Sequence, residues 1–343
     1  MNQTNALTSC FCGSGKHYRD CHGALQGSDV ALDTAIDLFM QRNPRVVHVA
    51  PSRVEGSLQG RSLVFVHIPK SAGITLNWIL YSIAVRFHAV FFRALGTVYG
   101  QYMGEGKGEA GDYLRQADPG TVMSASILDG HVPVSIWERV IGARRAAYVT
   151  ILRDPVERMI SNYLHGVSRN GWSADTGMKS LVQSGRLVDN LQVRMLAGCT
   201  DARQPCSETM LETAYTKLRR RFALVGVIDR FDAFLAALLG LYGWPDIVYA
   251  ARNVTAIRVA PERQAALRAE ASDYNAFDAR LLARVREHGD VWLNGVDASP
   301  PQRLSTDLLM ILDASSEFLC LPRDELPKLD DFARRANCQL VHA

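Results

Sequence analysis

The 343-residue chain is 48% hydrophobic and 21% charged, an ordinary balance that lets one large domain bury a full core. Its formal net charge of +3 is too small to argue for nucleic acid, so any basic site has to be local. No basic segment followed by an apolar run opens the sequence. The most apolar later stretch, 74–95, is interrupted by Asn77, Arg86 and His88, whereas a membrane span needs about 18–20 mostly uncharged residues. The expectation is therefore a cytoplasmic protein with no membrane span and no nucleic-acid partner. Seven cysteines, three of them within the first 21 residues, fit a reducing compartment with one metal site better than a disulfide framework.

Residues 8–26 form a compact Cys/His segment. In CFCGSGKHYRDCH, Cys10, Cys12, Cys21 and His22 are four soft or borderline ligands, a set that closes a tetrahedral structural zinc site. Gly13 and Gly15 free the backbone to turn between the two ligand pairs. Clustering alone leaves free thiols in a loose tail as the alternative. The spacing C-x-C-G-S-G-K with Y-x-x-C-H resembles the SEC-C zinc-binding motif at all four ligand positions. That resemblance implies structural zinc and docking of a protein partner, and no catalysis.

A helical pattern runs from Asp29 to Arg42, and 45–61, with Pro51, Ser52, Gly56, Ser57 and Gly60, reads as a linker. SLVFVH (62–67) is a continuous apolar run of the kind a buried parallel strand shows, and an apolar-faced helix should follow from Gly73. The glycine-rich stretch 96–120 reads as an irregular excursion. Strands are expected at 121–132 and 146–155, the second running into a helix start. Helical patterns cover 178–197 and 207–221, then a strand at 223–229, a helix at 230–242 and a long helix at 261–287. The last 50 residues give a mixed signal. Strands alternating with helices predict an α/β fold, a P-loop-like and mostly parallel sheet flanked by helices, behind a small N-terminal zinc module.

The stretch FVHIPKSAGITLNWIL (65–80) reads as a strand that ends in a glycine-bearing loop opening into a helix. A triphosphatase loop carries its lysine after the last glycine, followed by Ser or Thr. Here Lys70 comes first, then Ser71, Ala72, Gly73, Ile74 and Thr75. Backbone N–H groups from Ser71 to Thr75 would surround a phosphate at the helix N-terminus, with Lys70 adding a point charge and the Thr75 hydroxyl a hydrogen bond. The bland alternative is a strand-to-helix turn made by Pro69 and Gly73, with Lys70 on the surface. In LRDPVERMISNY, Arg153 ends a strand, Asp154 suits the N-cap, Pro155 the first helical position, and Glu157 completes a capping box. The apolar stripe Val156, Ile160, Tyr163, Leu164 and Val167 leaves Ser161 on a face free to line a cleft. Arg153 and Ser161 are thus candidates to grip a second phosphate; a surface arginine beside a capped helix is the plainer reading.

Together HIPKSAGIT and LRDPVERMISNY resemble the carbohydrate-directed sulfotransferases, the family that includes heparan sulfate 2-O-sulfotransferase. The resemblance implies that the first motif binds the 5′-phosphosulfate of 3′-phosphoadenosine 5′-phosphosulfate (PAPS), and that Arg153 and Ser161 bind its 3′-phosphate. DNLQVRMLAG (189–198), FALVGVIDRFDAFLAAL (222–238) and YNAFDARLL (274–282) are similar to later blocks of that family. The division that follows is a zinc motif at 1–26, a helix and linker at 27–61, a sulfotransferase domain at 62–290 and an extension at 291–343.

Among nine histidines, His131 in LDGHVPVSIW lies at the end of an expected strand beside Gly130. A lone histidine is more often structural, but GH at this place is similar to the block that supplies the family's catalytic histidine. An ordinary histidine pKa of about 6.5 suits a base that takes a proton from a hydroxyl. His67, which abuts the loop, is the second candidate. The acceptor implied is a hydroxyl of a glycan or glycolipid, with Lys70 stabilising charge on the departing oxygen. Two other readings stay open. One is a P-loop kinase or nucleotidase, against which stand the position of Lys70 and the lack of an obvious Mg²⁺ carboxylate. The other is a non-enzymatic protein that docks through its zinc segment.

Overall fold

The structure, a computed structural model, describes residues 45–48, 56–87, 89–94, 119–141, 146–250, 259–294, 308–311, 318–321 and 340–342. The Cys/His segment, the expected helix 29–42 and nearly all of the excursion 96–120 lie outside the described residues. Strand β1 (Arg45–His48) comes first, followed by β2 (Ser62–Val66), helix α1 (Gly73–Arg86), β3 (Phe91–Ala94), α2 (Pro119–Ser124), β4 (Ile127–Gly130) and α3 (Val134–Ile141). Next come β5 (Ala146–Leu152), α4 (Pro155–Arg169), α5 (Met178–Gln183), α6 (Leu191–Ala197) and α7 (Glu208–Arg221). The rest is β6 (Phe222–Val227), α8 (Phe231–Tyr242), β7 (Asp246–Tyr249), α9 (Pro261–Asp273), α10 (Ala276–Glu287), β8 (Val291–Leu293), β9 (Leu308–Ile311), β10 (Phe318–Leu321) and β11 (Leu340–His342).

The larger sheet runs β3-β4-β2-β5-β6-β8, parallel throughout except for the edge strand β8, which lies antiparallel to β6. Strands β2, β5 and β6 are continuous apolar runs because a parallel sheet is covered on both faces. Alternate residues divide between two cores. Val64, Val66, Tyr148 and Leu152 pack with α3, α6, α7 and α10, around the fully buried Trp137. Leu63, Phe65, Val149 and Ile151 pack with α1 and α8 on the other face. A third cluster joins α4, α5 and α9. The result is an α/β fold with a mostly parallel mixed sheet flanked by helices. Among the described residues, no helix is long and apolar enough to cross a membrane.

Four expectations are corrected. The segment 121–132 is a strand only at Ile127–Gly130, because Pro119 opens the short helix α2 just before it. The helix expected at 178–197 is two, parted where Gly185 and Asn190 take positive φ. The helix expected at 261–287 breaks at Tyr274 and Asn275, where the Asn275 amide donates to the Ala271 carbonyl at 2.7 Å. Arg45–His48, expected as linker, is a strand that pairs with β7 and β11. Three short strands appear in the last 50 residues. With them a second sheet forms in the order β10-β9-β7-β1-β11.

Candidate active site at the carboxyl edge of the parallel sheet

Strands β4, β2 and β5 are neighbours, and all three motifs leave from their carboxyl ends. His131 follows β4, the loop from His67 to Ala72 follows β2, and Arg153 follows β5. In open α/β sheets this edge is where ligands bind.

The loop backbone is unusual. Lys70 has φ +69° and Ala72 φ +57°, conformations that cost a residue with a Cβ about 1–2 kcal/mol each. Ser71 between them, and Gly73 after them, do not take positive φ, so the sign alternates through the turn. Alternation of this kind turns successive N–H groups toward one concavity, an anion-binding nest, directly before the N-terminus of α1. That helix has no acidic residue in its first turn, and its first N–H groups have no intrahelical partner. Ser71 is buried, and its hydroxyl has no hydrogen-bond partner. Gly73 and Thr75 are buried, whereas Lys70, Ala72 and Ile74 are half-exposed. Burial, and then the charge of Arg153, holds the Lys70 ammonium below its ordinary pKa.

Arg153 is held differently. Its guanidinium donates to the Lys70 carbonyl at 2.9 Å, tying the two motifs together. Its backbone is bracketed by the side chain of Gln192, which accepts from the Arg153 N–H at 3.0 Å and donates to the Arg153 carbonyl at 2.9 Å. Gln192 is held in turn by Asp278, whose carboxylate accepts the backbone N–H groups of Gln192 at 3.0 Å and Val193 at 2.7 Å. Asn190 returns the arrangement by accepting from the backbone N–H groups of Phe277 and Asp278. Each carboxamide or carboxylate thus caps the helix that carries the other. Burial raises the Asp278 pKa, against which Arg158 and the two backbone donors act.

Asp154 caps α4 as expected, its side chain accepting from the Glu157 N–H at 2.9 Å, with Pro155 in the first turn. The Glu157 carboxylate reaches Arg268 at 2.7 Å. Ser161 is only 7% exposed, one turn after the buried Arg158, so it does not lie on an open face of the helix. Further along α4, burial and then Lys70 and Arg169 push the His165 pKa down.

The two histidine candidates touch. Their rings meet edge to face with centroids 4.2 Å apart. His67 is buried and stacks on Phe65 at 5.0 Å, and its Nδ1 lies 3.0 Å from Asp129 Oδ1. Gly73 is required beneath it, since a Cβ there would fall 1.7 Å from His67 Nε2. His131 is half-buried just past the end of β4. Burial, and then His67, Arg93 and Lys70, holds its pKa well below the ordinary value, so it is a neutral imidazole at neutral pH. Asp129, Arg93, Gln192 and Asp278 join the site without a local motif that singles them out in the sequence, where Asn77 only interrupts an apolar stretch.

Among the described residues, no group of three or more His, Cys, Asp or Glu is placed to hold a metal. Cys10, Cys12, Cys21 and His22 lie outside them. The family model of the SEC-C motif matches residues 8–24, which contain all four. No curated protein matches the chain.

Proposed function

We propose that the chain is a sulfotransferase that moves the sulfuryl group of PAPS to a hydroxyl of a glycan or glycolipid. The observation that carries this reading is the meeting of a strained, cation-bearing loop, a braced arginine and a neutral histidine at the ends of three adjacent parallel strands. The loop amides, with Lys70 and Ser71, hold the 5′-phosphosulfate. Arg153 holds the 3′-phosphate; four of its five N–H groups remain after the bond to Lys70. The acceptor oxygen attacks sulfur in line and its proton passes to His131. The bond from sulfur to the bridging oxygen breaks, and Lys70 with the loop amides takes the charge that grows there. The products are the sulfate ester and adenosine 3′,5′-bisphosphate.

A kinase needs a carboxylate for Mg²⁺ beside the loop. Asp129 reaches this place, but it is fully buried and already meets His67, Asn77 and Arg93, which leaves it no room for a metal.

Three thiolates and one imidazole at Cys10, Cys12, Cys21 and His22 form a set suited to closed, tetrahedral zinc, and we assign that module to docking a protein partner, apart from the chemistry. The test is incubation of the purified protein with labelled PAPS and an array of glycans and glycolipids. Label transferred to an acceptor supports the reading. Label transferred from ATP, and none from PAPS, sinks it.

A further inference from the structure

We propose that Asp129 and His67 are positioning residues that act through the ring of His131, a role that rests on the sulfotransferase reading for its catalytic consequence but not for its geometry. The Asp129 carboxylate has three neighbours. Oδ1 faces His67 Nδ1 at 3.0 Å; Oδ2 accepts from the Asn77 amide and faces Arg93 Nε at 3.3 Å. Arg93 also donates to Asn77 Oδ1 at 3.2 Å. That bond fixes which end of the Asn77 amide points at Asp129, and it is the donor end. Oδ2 thus faces a guanidinium and the donor end of an amide, an environment that suits an ionised, acceptor-only carboxylate. The third position then selects the His67 tautomer with its proton on Nδ1.

The rest of the ring is confined too. Phe65 stacks on it within 14° of parallel, and Gly73 of the phosphate loop leaves just enough room beneath Nε2. His67 is consequently a fixed wall between the loop and His131. It sets the direction of the His131 ring through their edge-to-face contact, while Asp129 offsets part of the positive charge of Arg93 that presses on the base. Packing the same ring against Gly73 couples the placement of the base to the loop that holds the donor. The charged and titratable groups facing His131 are His67, Arg93 and Lys70, with Asp129 behind them.

Side-chain nitrogen NMR of uniformly ¹⁵N-labelled protein tests this without an acceptor. In the wild type, His67 should carry its proton on Nδ1. A proton on Nε2 alone overturns the proposal, and this measurement decides it even should a variant fail to fold. In Asp129→Asn, the fixed tautomer of His67 should be lost and the His131 titration should move to lower pH. Its turnover should fall about tenfold to a hundredfold, as loss of an outer-layer partner does elsewhere, with affinity for adenosine 3′,5′-bisphosphate within a few-fold of wild type. An Asp129→Asn protein whose His67 tautomer and His131 titration both match wild type contradicts it. Should the spectra change as expected while the wild type transfers no sulfuryl group to any acceptor, the positioning arrangement stands and the sulfotransferase reading is what fails.

Discussion

The two halves of the candidate site are built on opposite plans. The loop at Lys70 holds its shape by backbone strain and packing: two residues at positive φ, a glycine under a histidine ring, and a buried serine hydroxyl without a partner. Arg153 sits on a redundant set of hydrogen bonds that runs through Gln192 to Asp278. The difference follows from the task of each. A nest of backbone N–H groups must be bent toward its anion and kept short of partners, so unmet hydrogen-bonding capacity is its working state. A single guanidinium must be aimed, so its backbone is clamped on both polar atoms. In the proposed reading, strain would select an anion by shape and the bracket a second phosphate by position.

Breaking the chemistry between the halves should have the largest effect. His131→Ala should lower transfer by about 10²–10⁴ while leaving PAPS affinity within a few-fold, because in the proposed mechanism the imidazole meets the acceptor and not the phosphates. The pH profile sharpens the point. His131 acts unprotonated and its pKa is pushed down, so the acid limb of kcat/KM, which reports free enzyme, should lie below the ordinary histidine value of about 6.5. In the proposed mechanism bound PAPS would bring negative charge against Lys70, so the limb of kcat should lie higher than that of kcat/KM. A His131→Ala protein with near-normal transfer to the true acceptor hands the role to another residue.

Gly73→Ala strikes the strained half. Its Cβ would meet a His67 ring that Asp129 and Phe65 hold in place, so denaturant unfolding should show a loss of about 2–3 kcal/mol or more. A loss below about 0.5 kcal/mol would show that the ring moves aside freely. Gln192→Ala strikes the braced half. It leaves the N–H and carbonyl of Arg153 unmatched, with an expected stability loss of about 1–3 kcal/mol and about a fivefold loss of affinity for adenosine 3′,5′-bisphosphate. Unchanged affinity alongside lowered stability would make the bracket a matter of folding alone.

The sequence made β2, β5 and the start of α4 legible because each is encoded locally, by an apolar run or by a cap within four residues. The partners that define the site are not local. His67 meets Asp129 across 62 positions, and Gln192 meets Asp278 across 86. The sheet brings the first pair together and the packing of α6 on α10 the second, although the blocks 189–198 and 274–282 stood out in the sequence for their resemblance. The strained loop was hidden for another reason: its positive φ angles fall on a lysine and an alanine, which give no sign of it, whereas glycine would have. Strands of three or four residues, such as β1 and β11, are too short for an alternating pattern to identify.

In the proposed reading this edge holds a nucleotide with two separated phosphates, one in the nest and one on Arg153. Calorimetric titration of wild type and Arg153→Ala with adenosine 3′,5′-bisphosphate and with AMP tests it most directly. A charge-assisted arginine contact contributes about 1.5–3 kcal/mol, so the variant should bind the bisphosphate about tenfold to a hundredfold more weakly and lose much less for AMP. Equal losses for both ligands, or no loss for either, would contradict the account.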